Sequence, residues 1–268
     1  GAQQYYNSIF ELYASWGVDF VKVDDLSAPI YHKDEIEMIR TAIDRCGRPI
    51  VLSTSPGATP VADAEHVSSH GNMWRVVNEV WDTWPHIRNL IEVSRNWYPF
   101  ISPGIWPDCD MIPLGRLSIR GEVGHERMPR LTKDEQYTIM TLFTVFRSPL
   151  FFGGDLPGND DFTLSLLTNK AVLKMHRESS GVRFLPQEDG KVAITSVNKK
   201  SKETYLALFN ISETSPVDVT VKLADLNLKG NVRITNLWSG EVVGTARDQF
   251  TQKLNAHASG LYLITASE

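Results

Sequence analysis

The chain has 268 residues, 42% hydrophobic and 22% charged, with a net charge of -5. Such values describe a globular protein with room for one large domain or for a large and a small one, and they give no electrostatic reason to bind nucleic acid or an anionic membrane. No apolar run approaches the ~20 residues that cross a bilayer, no basic-then-apolar leader opens the chain, and Cys46 and Cys109 read as free thiols rather than a disulfide framework or a zinc spacing.

In chain order, "YYNSIFELYASWG" has apolar residues at helical spacing and stops on Gly17. "VDFVKV" follows as a strand. "KDEIEMIRTAIDRCG" predicts a helix with acids early and Gly47 at its end, which suits the macrodipole and the C-cap. "PIVLST" is a strand, "SPGATP" a loop, "NMWRVVNEV" strand-like and "WPHIRNLIEVSRNWY" a helix. "FISPGIWPD" reads as a short strand entering a loop. "TKDEQYTIMTLFTVFRS" opens on Thr132 with Glu135 three residues later, the spacing of a capping box. "PLFFGGD" is a further strand and "NKAVLKMHRES" a further helix.

Repeated β–loop–α units of this length predict parallel strands with helical crossovers, in a doubly wound sheet or a (β/α)8 barrel. No GxGxxG or GxxxxGK[ST] follows a strand, so no dinucleotide or P-loop is expected. Near residue 180 the texture changes to short alternating runs such as "KVAITSV", "TYLALFNI" and "GLYLITA", divided by Asn, Gly, Asp and Ser. We expect residues 1–180 to form the α/β part, and 181–268 an antiparallel β-sandwich of about six to eight strands.

Functional groups of a parallel barrel sit at the carboxyl ends of its strands. There stand Lys22, Asp24 and Asp25; Ser53, Thr54 and Ser55; Arg75, Glu79 and Asp82; and Trp106, Asp108 and Asp110. Asp25 reads as a turn residue and Asp82 as a helix cap. Lys22 and Asp24, two apart, project to one face of their strand. Arg75 and Glu79, four apart, share a face only if the strand ends between them, and they also fit a surface pair. Six of the seven tryptophans lie between residues 16 and 106, and Trp74, Trp81, Trp84 and Trp106 neighbour these acids. Core packing accounts for most of them, yet aromatic rings next to carboxylates also suit the apolar faces and hydroxyl edges of sugars. The seven histidines are scattered with no HExxH, so no histidine metal site and no cofactor is expected. Paired carboxyls without a metal signal suggest glycoside hydrolysis, with Lys22 favouring ionised Asp24 as nucleophile and Glu79, among Val77, Val80 and Trp81, as the acid. A sugar-binding module and a metal-dependent hydrolase using Asp24, Asp108 and Asp110 are the rival readings.

"WGVDFVKVDD" resembles the strand-4 nucleophile segment of glycoside hydrolase family 27, the α-galactosidases and α-N-acetylgalactosaminidases. "MWRVVNEVWDTW" resembles its strand-6 segment, "PGIWPDCDM" its strand-7 segment, and the closing "NLWSGE" and "HASGLYLI" its C-terminal domain. The resemblance implies the later part of a (β/α)8 barrel followed by an antiparallel β-sandwich, and a retaining exo-acting α-glycosidase for terminal α-galactosides. It makes Asp24 the nucleophile and Glu79 the acid/base, and Lys22, Arg75, Asp108, Asp110, Trp106 and Thr54 substrate-site residues. It implies a carbohydrate substrate, no nucleic-acid or membrane partner, and a secreted or periplasmic location. Glu79 stands where the family usually has Asp, which keeps Asp82 open as the acid. The segment Ser53 to Gly57 replaces a family loop that contacts the sugar's 2-substituent, leaving space there. With only five strands counted, near residues 18–23, 49–53, 73–78, 101–105 and 149–153, the chain is expected to be a fragment.

Overall fold

The structure, a computed structural model, describes residues 1–267. Tyr6, Ile9, Phe10 and Tyr13 recur at helical spacing along α1 (Ala2–Ser15) and turn one side of it to the core. Gly17, at φ 77°, lets the chain leave the helix, as its position predicts, and enter β1 (Phe20–Val23). α2 (Lys33–Arg45) has Asp34 and Glu35 in its first turn, Arg45 in its last, and buries Ile36, Ile39, Ala42 and Ile43. Then come β2 (Val51–Thr54), α3 (Ala64–His70), β3 (Met73–Arg75), α4 (Trp84–Trp97), β4 (Trp106–Asp108) and β5 (Met111–Ile112). α5 (Lys133–Phe146) begins on the expected capping box: Thr132 Oγ1 accepts from the Glu135 amide and Glu135 accepts from the Thr132 amide. β6 (Phe151–Phe152), α6 (Asp161–Leu167) and α7 (Lys170–Glu178) complete this part. The remainder is β7 (Ser180–Leu185), β8 (Lys191–Asn198), β9 (Glu203–Asn210), β10 (Val217–Lys222), β11 (Val232–Asn236), β12 (Val242–Ala246), β13 (Gln249–Leu254) and β14 (Ser259–Ala266).

These elements fall into two compact units, Gly1–Glu79 with Asn96–Asp110, and Val80–Arg95 with Met111–Glu268. In the first, β1, β2, β3 and β4 pair in that order, all parallel. Its core joins Phe10 of α1 and the isoleucines of α2 to Ile50 and Leu52. In the second, β5 pairs with β6 in parallel, six strands run β12-β11-β14-β9-β8-β7 in an antiparallel sheet, and β10 pairs with β13. Leu206, Leu208 and Ile264 of the six-stranded sheet meet Val219, Val221, Phe250 and Leu254 of the two-stranded one in a single core. Part of a (β/α)8 barrel is followed by an antiparallel β-sandwich.

Local readings differ in five places. Ser102 and Ile105 bridge across a turn with Gly104 at φ 81°, so the strand expected near 101–105 begins only at Trp106. "MWRVVNEV" leaves the sheet after Arg75, whose Nε turns back to donate to the Val77 carbonyl. The strand expected over 149–153 shrinks to two residues, and α3 and α6, seven residues each, are too short to register as periodic patterns.

Candidate active site

Because β1 to β4 are parallel and adjacent, their carboxyl ends line one edge of the first unit's sheet. Residues paired across parallel strands share a face. Val23, Thr54, Trp74 and Pro107 form one row, and Arg75 pairs with Asp108 one residue further on. Val21, Val23 and Leu52 pack among the isoleucines of α2, so their face is the helix side. Lys22, Ser53, Met73 and Trp106, together with Arg75 and Asp108, therefore belong to the opposite face. Asp24 follows β1 directly, two residues after Lys22, and both are exposed.

The loops are held at this edge by continued ladder bonds. The Ser55 amide donates to the Val23 carbonyl, Leu26 to Ser55, Thr59 to Arg75 and Val76 to Asp108. Gly57, at φ 70°, lies where an added Cβ would stand 2.7 Å from Ala28 Cβ and 3.4 Å from Asn78 Oδ1, so the turns after β1, β2 and β3 close on one another there. Asp25 adopts φ 62° in the turn it was expected to make.

Arg75 and Asp110 form a buried ion pair, Nη1 to Oδ1 at 2.7 Å, with side chains 4% and 10% exposed. Asp110 takes φ 73°, and its amide donates to Asp108 Oδ1 at 2.9 Å. Asp108 is 1% exposed. Burial pushes its carboxyl up to about 6; the negative Asp110 adds to this, while the Asp110 amide, Arg75 and Lys22 oppose it. Arg75 pairs with Asp108 across β3 and β4, and Lys22 lies on the same face of the sheet. Arg75 Nη2 is buried and has no hydrogen-bond partner among the described residues. A buried guanidinium edge without a protein acceptor can bind a hydroxyl or carboxylate oxygen. Glu79 is exposed, four residues beyond the end of β3.

Other candidates behave differently. Thr54 is fully buried on the helix side with Leu52 and Trp74, away from the face that carries Lys22, Arg75 and Asp108. Phase alone could have revealed this, since Leu52 stands two residues earlier. Trp74 is also fully buried, 5.8 Å from the ring of Trp97, and serves as core. Trp106 is half-buried on the Lys22 face. In the second unit Asp82, fully buried, accepts from Arg127 Nη2 and Nε and from the side chain and amide of Arg130. Burial alone would raise its pKa, but these bonds hold it far below the usual carboxylate range. It is an ionised anchor for two arginines rather than the helix cap expected. Arg127 and Arg130 went unnoticed in the sequence because they lie 45 and 48 residues away, with no local signal.

Four adjacent parallel strands with helical crossovers, carrying acids, a lysine and an arginine at their carboxyl edge, fit part of a (β/α)8 barrel. The sequence matches the family described as alpha galactosidase A over residues 1–178, and the alpha galactosidase C-terminal beta sandwich domain over residues 186–264. The chain belongs to the alpha galactosidase A family, within glycoside hydrolase family 27. Alpha-galactosidase 2 of Arabidopsis thaliana is 24% identical over 94% of this chain and 61% of its own length. Human alpha-N-acetylgalactosaminidase is 23% identical over 94% of this chain and 62% of its own. A crystal structure of a GH27 β-L-arabinopyranosidase from Geobacillus stearothermophilus superposes with TM-score 0.95 at 46% identity, covering all of this chain and 62% of that one. A variant of that enzyme was crystallised with arabinose. The chain thus spans about three-fifths of the length of the relatives it matches.

Proposed function

We propose that the protein to which this chain belongs is a retaining, exo-acting glycosidase that hydrolyses terminal α-galactosides by double displacement. The observation that carries this reading is the buried Arg75–Asp110 pair beside Asp108, at the strand ends where Asp24 and Glu79 emerge. In the first step the Asp24 carboxylate attacks the anomeric carbon while Glu79 donates a proton to the departing oxygen. In the second, Glu79 takes a proton from water, which displaces Asp24 from the sugar. β1 and β3 are separated by one strand, so their ends are about 10 Å apart. Extended carboxyl side chains can close such a gap toward the ~5–5.5 Å of a retaining pair. Lys22, Arg75, Asp108, Asp110 and Trp106 would orient the sugar, Arg75 through its unpartnered Nη2. The locking of Asp82 by two arginines supports Glu79 as the acid/base, because a carboxyl held ionised has no proton to give.

A second substrate reading has its own support in the 46% identity to a β-L-arabinopyranosidase. β-L-Arabinopyranosides match α-D-galactopyranosides in ring configuration and lack only the hydroxymethyl group. Nitrophenyl glycosides of both sugars, with N-acetylgalactosamine and β-anomers beside them, distinguish the readings on the full-length protein. A 2-fluoro glycosyl fluoride should attach to Asp24; a label on another residue refutes the nucleophile. Binding of these sugars without hydrolysis would instead make this a sugar-binding module.

The proposal takes residues 1–180 as the catalytic part and 181–268 as the sandwich, supported by the end of α7 at Glu178 and the start of β7 at Ser180. No helix among the described residues is long and apolar enough to cross a membrane. On the family resemblance we take the protein to be secreted or periplasmic, which fractionation of the native host tests.

A further inference from the structure

His66 and His70 are one helical turn apart on α3, with rings stacked at 4.2 Å between centroids. Glu37, in the second turn of α2, reaches across to them, with Oε1 3.1 Å from His66 Nε2. One ligand atom from each of the three residues lies within 4.8 Å of the others. None of the three belongs to the candidate active site. They sit in the helix layer, where Ile36 of α2 and Val67 of α3, their sequence neighbours, are fully buried beneath them.

Surrounding hydrogen bonds prepare both rings. His70 Nδ1 is 2.8 Å from the His66 carbonyl oxygen, which can only accept. A proton on Nδ1 of neutral His70 suits this contact, with the Ser69 hydroxyl 3.0 Å from the same nitrogen, and that tautomer leaves the Nε2 lone pair to bind a cation. His66 Nδ1 is 2.7 Å from the Tyr31 hydroxyl, which can donate to it or accept from it. When a cation replaces the contact between His66 Nε2 and Glu37, the Tyr31 hydroxyl can accept the Nδ1 proton. Imidazoles oriented from behind by such partners are the usual form of metal ligands. Glu37 and His70 also line an open cleft of about 680 Å³, which gives an ion and its water a path of entry. Arg40 on that cleft is paired with Asp44 at 2.6 Å, which offsets its charge.

We propose that Glu37, His66 and His70 form a binding site for a divalent transition-metal ion of the zinc class, which clasps α2 to α3. Two imidazoles and a carboxylate are a borderline donor set that suits zinc, with water in the fourth tetrahedral position. Ligand atoms around such an ion stand roughly 3.4 Å apart. The Glu37–His66 contact is already near that spacing, and rotation of the exposed Glu37 side chain, with small shifts of the two rings that keep their hydrogen bonds, brings in the rest. The ion would stabilise this part of the chain and takes no role in the hydrolytic step.

The test uses the full-length protein to which this chain belongs, stripped with a chelator and titrated with zinc chloride by calorimetry, and with cobalt chloride by visible absorption. The expected result is one saturable site, the intense visible bands of tetrahedral cobalt, and a melting temperature raised by roughly 5 °C when zinc is at about a hundredfold excess over Kd. Glu37→Gln and His70→Ala should each weaken binding by more than about tenfold, since even the partners behind metal ligands cost that much. Circular dichroism checks folding, and either variant alone decides the matter. Absence of saturable binding at about 0.1 mM ion, or unchanged binding in a folded variant, overturns the proposal.

Discussion

Two buried aspartates illustrate how neighbours reverse the consequence of burial. Asp82 is held ionised by Arg127 and Arg130, so its folded pKa lies below the unfolded value. The stability it contributes is present above the unfolded pKa, near pH 4, and is lost as pH falls further. Asp82→Asn should therefore cost roughly 3 kcal/mol near neutral pH, because it breaks a buried ion pair. In denaturant titrations that cost should shrink as pH drops below about 4. Asp108 has the opposite sign. Its folded pKa of about 6 exceeds the unfolded value, so its contribution is fully present below about pH 4 and is lost as pH rises toward 6. Relative to the wild type, Asp108→Asn should gain about 2 kcal/mol between pH 4 and pH 7. A flat difference across that range would mean that Arg75 and Lys22 fully compensate the buried charge.

At the scale of elements, the most nearly complete local program is α5. Thr132 and Glu135 cap it, and Thr138 to Phe146 are all buried. Glu135 also binds His257 Nδ1 at 2.7 Å, so the cap carboxylate is itself held from outside the helix. Thr132→Ala should lower stability by about 1 kcal/mol through the lost side-chain acceptor, read from the shift in denaturation midpoint. β3 is the contrary case. "MWRVVNEV" has strand composition throughout, yet only Met73–Arg75 joins the ladder. Val77 and Asp110 take up Nε and Nη1 of the buried Arg75 side chain, and the backbone leaves the sheet directly after this residue. A local pattern cannot announce such an ending, because the partner that enforces it lies 35 residues downstream.

For the whole molecule, the reading predicts a particular dependence on the leaving group. Glu79→Gln in the full-length protein should slow alkyl glycosides by about a hundredfold or more, while activated aryl glycosides fall much less, because only the former need protonation. Equal losses for both would remove Glu79 from the acid/base role. By itself the sequence determined the order of the longer elements, the parallel-then-antiparallel architecture and the strand ends at which charges collect. Helix and strand periods, caps and turn glycines are properties of neighbouring residues. Only the tertiary structure decided that Thr54 turns toward the helices, that Asp82 is claimed by two distant arginines, and that Glu37 meets His66 and His70. Each of these depends on which chain segments lie side by side, and burial and pairing, unlike periodicity, are set by partners remote in the chain.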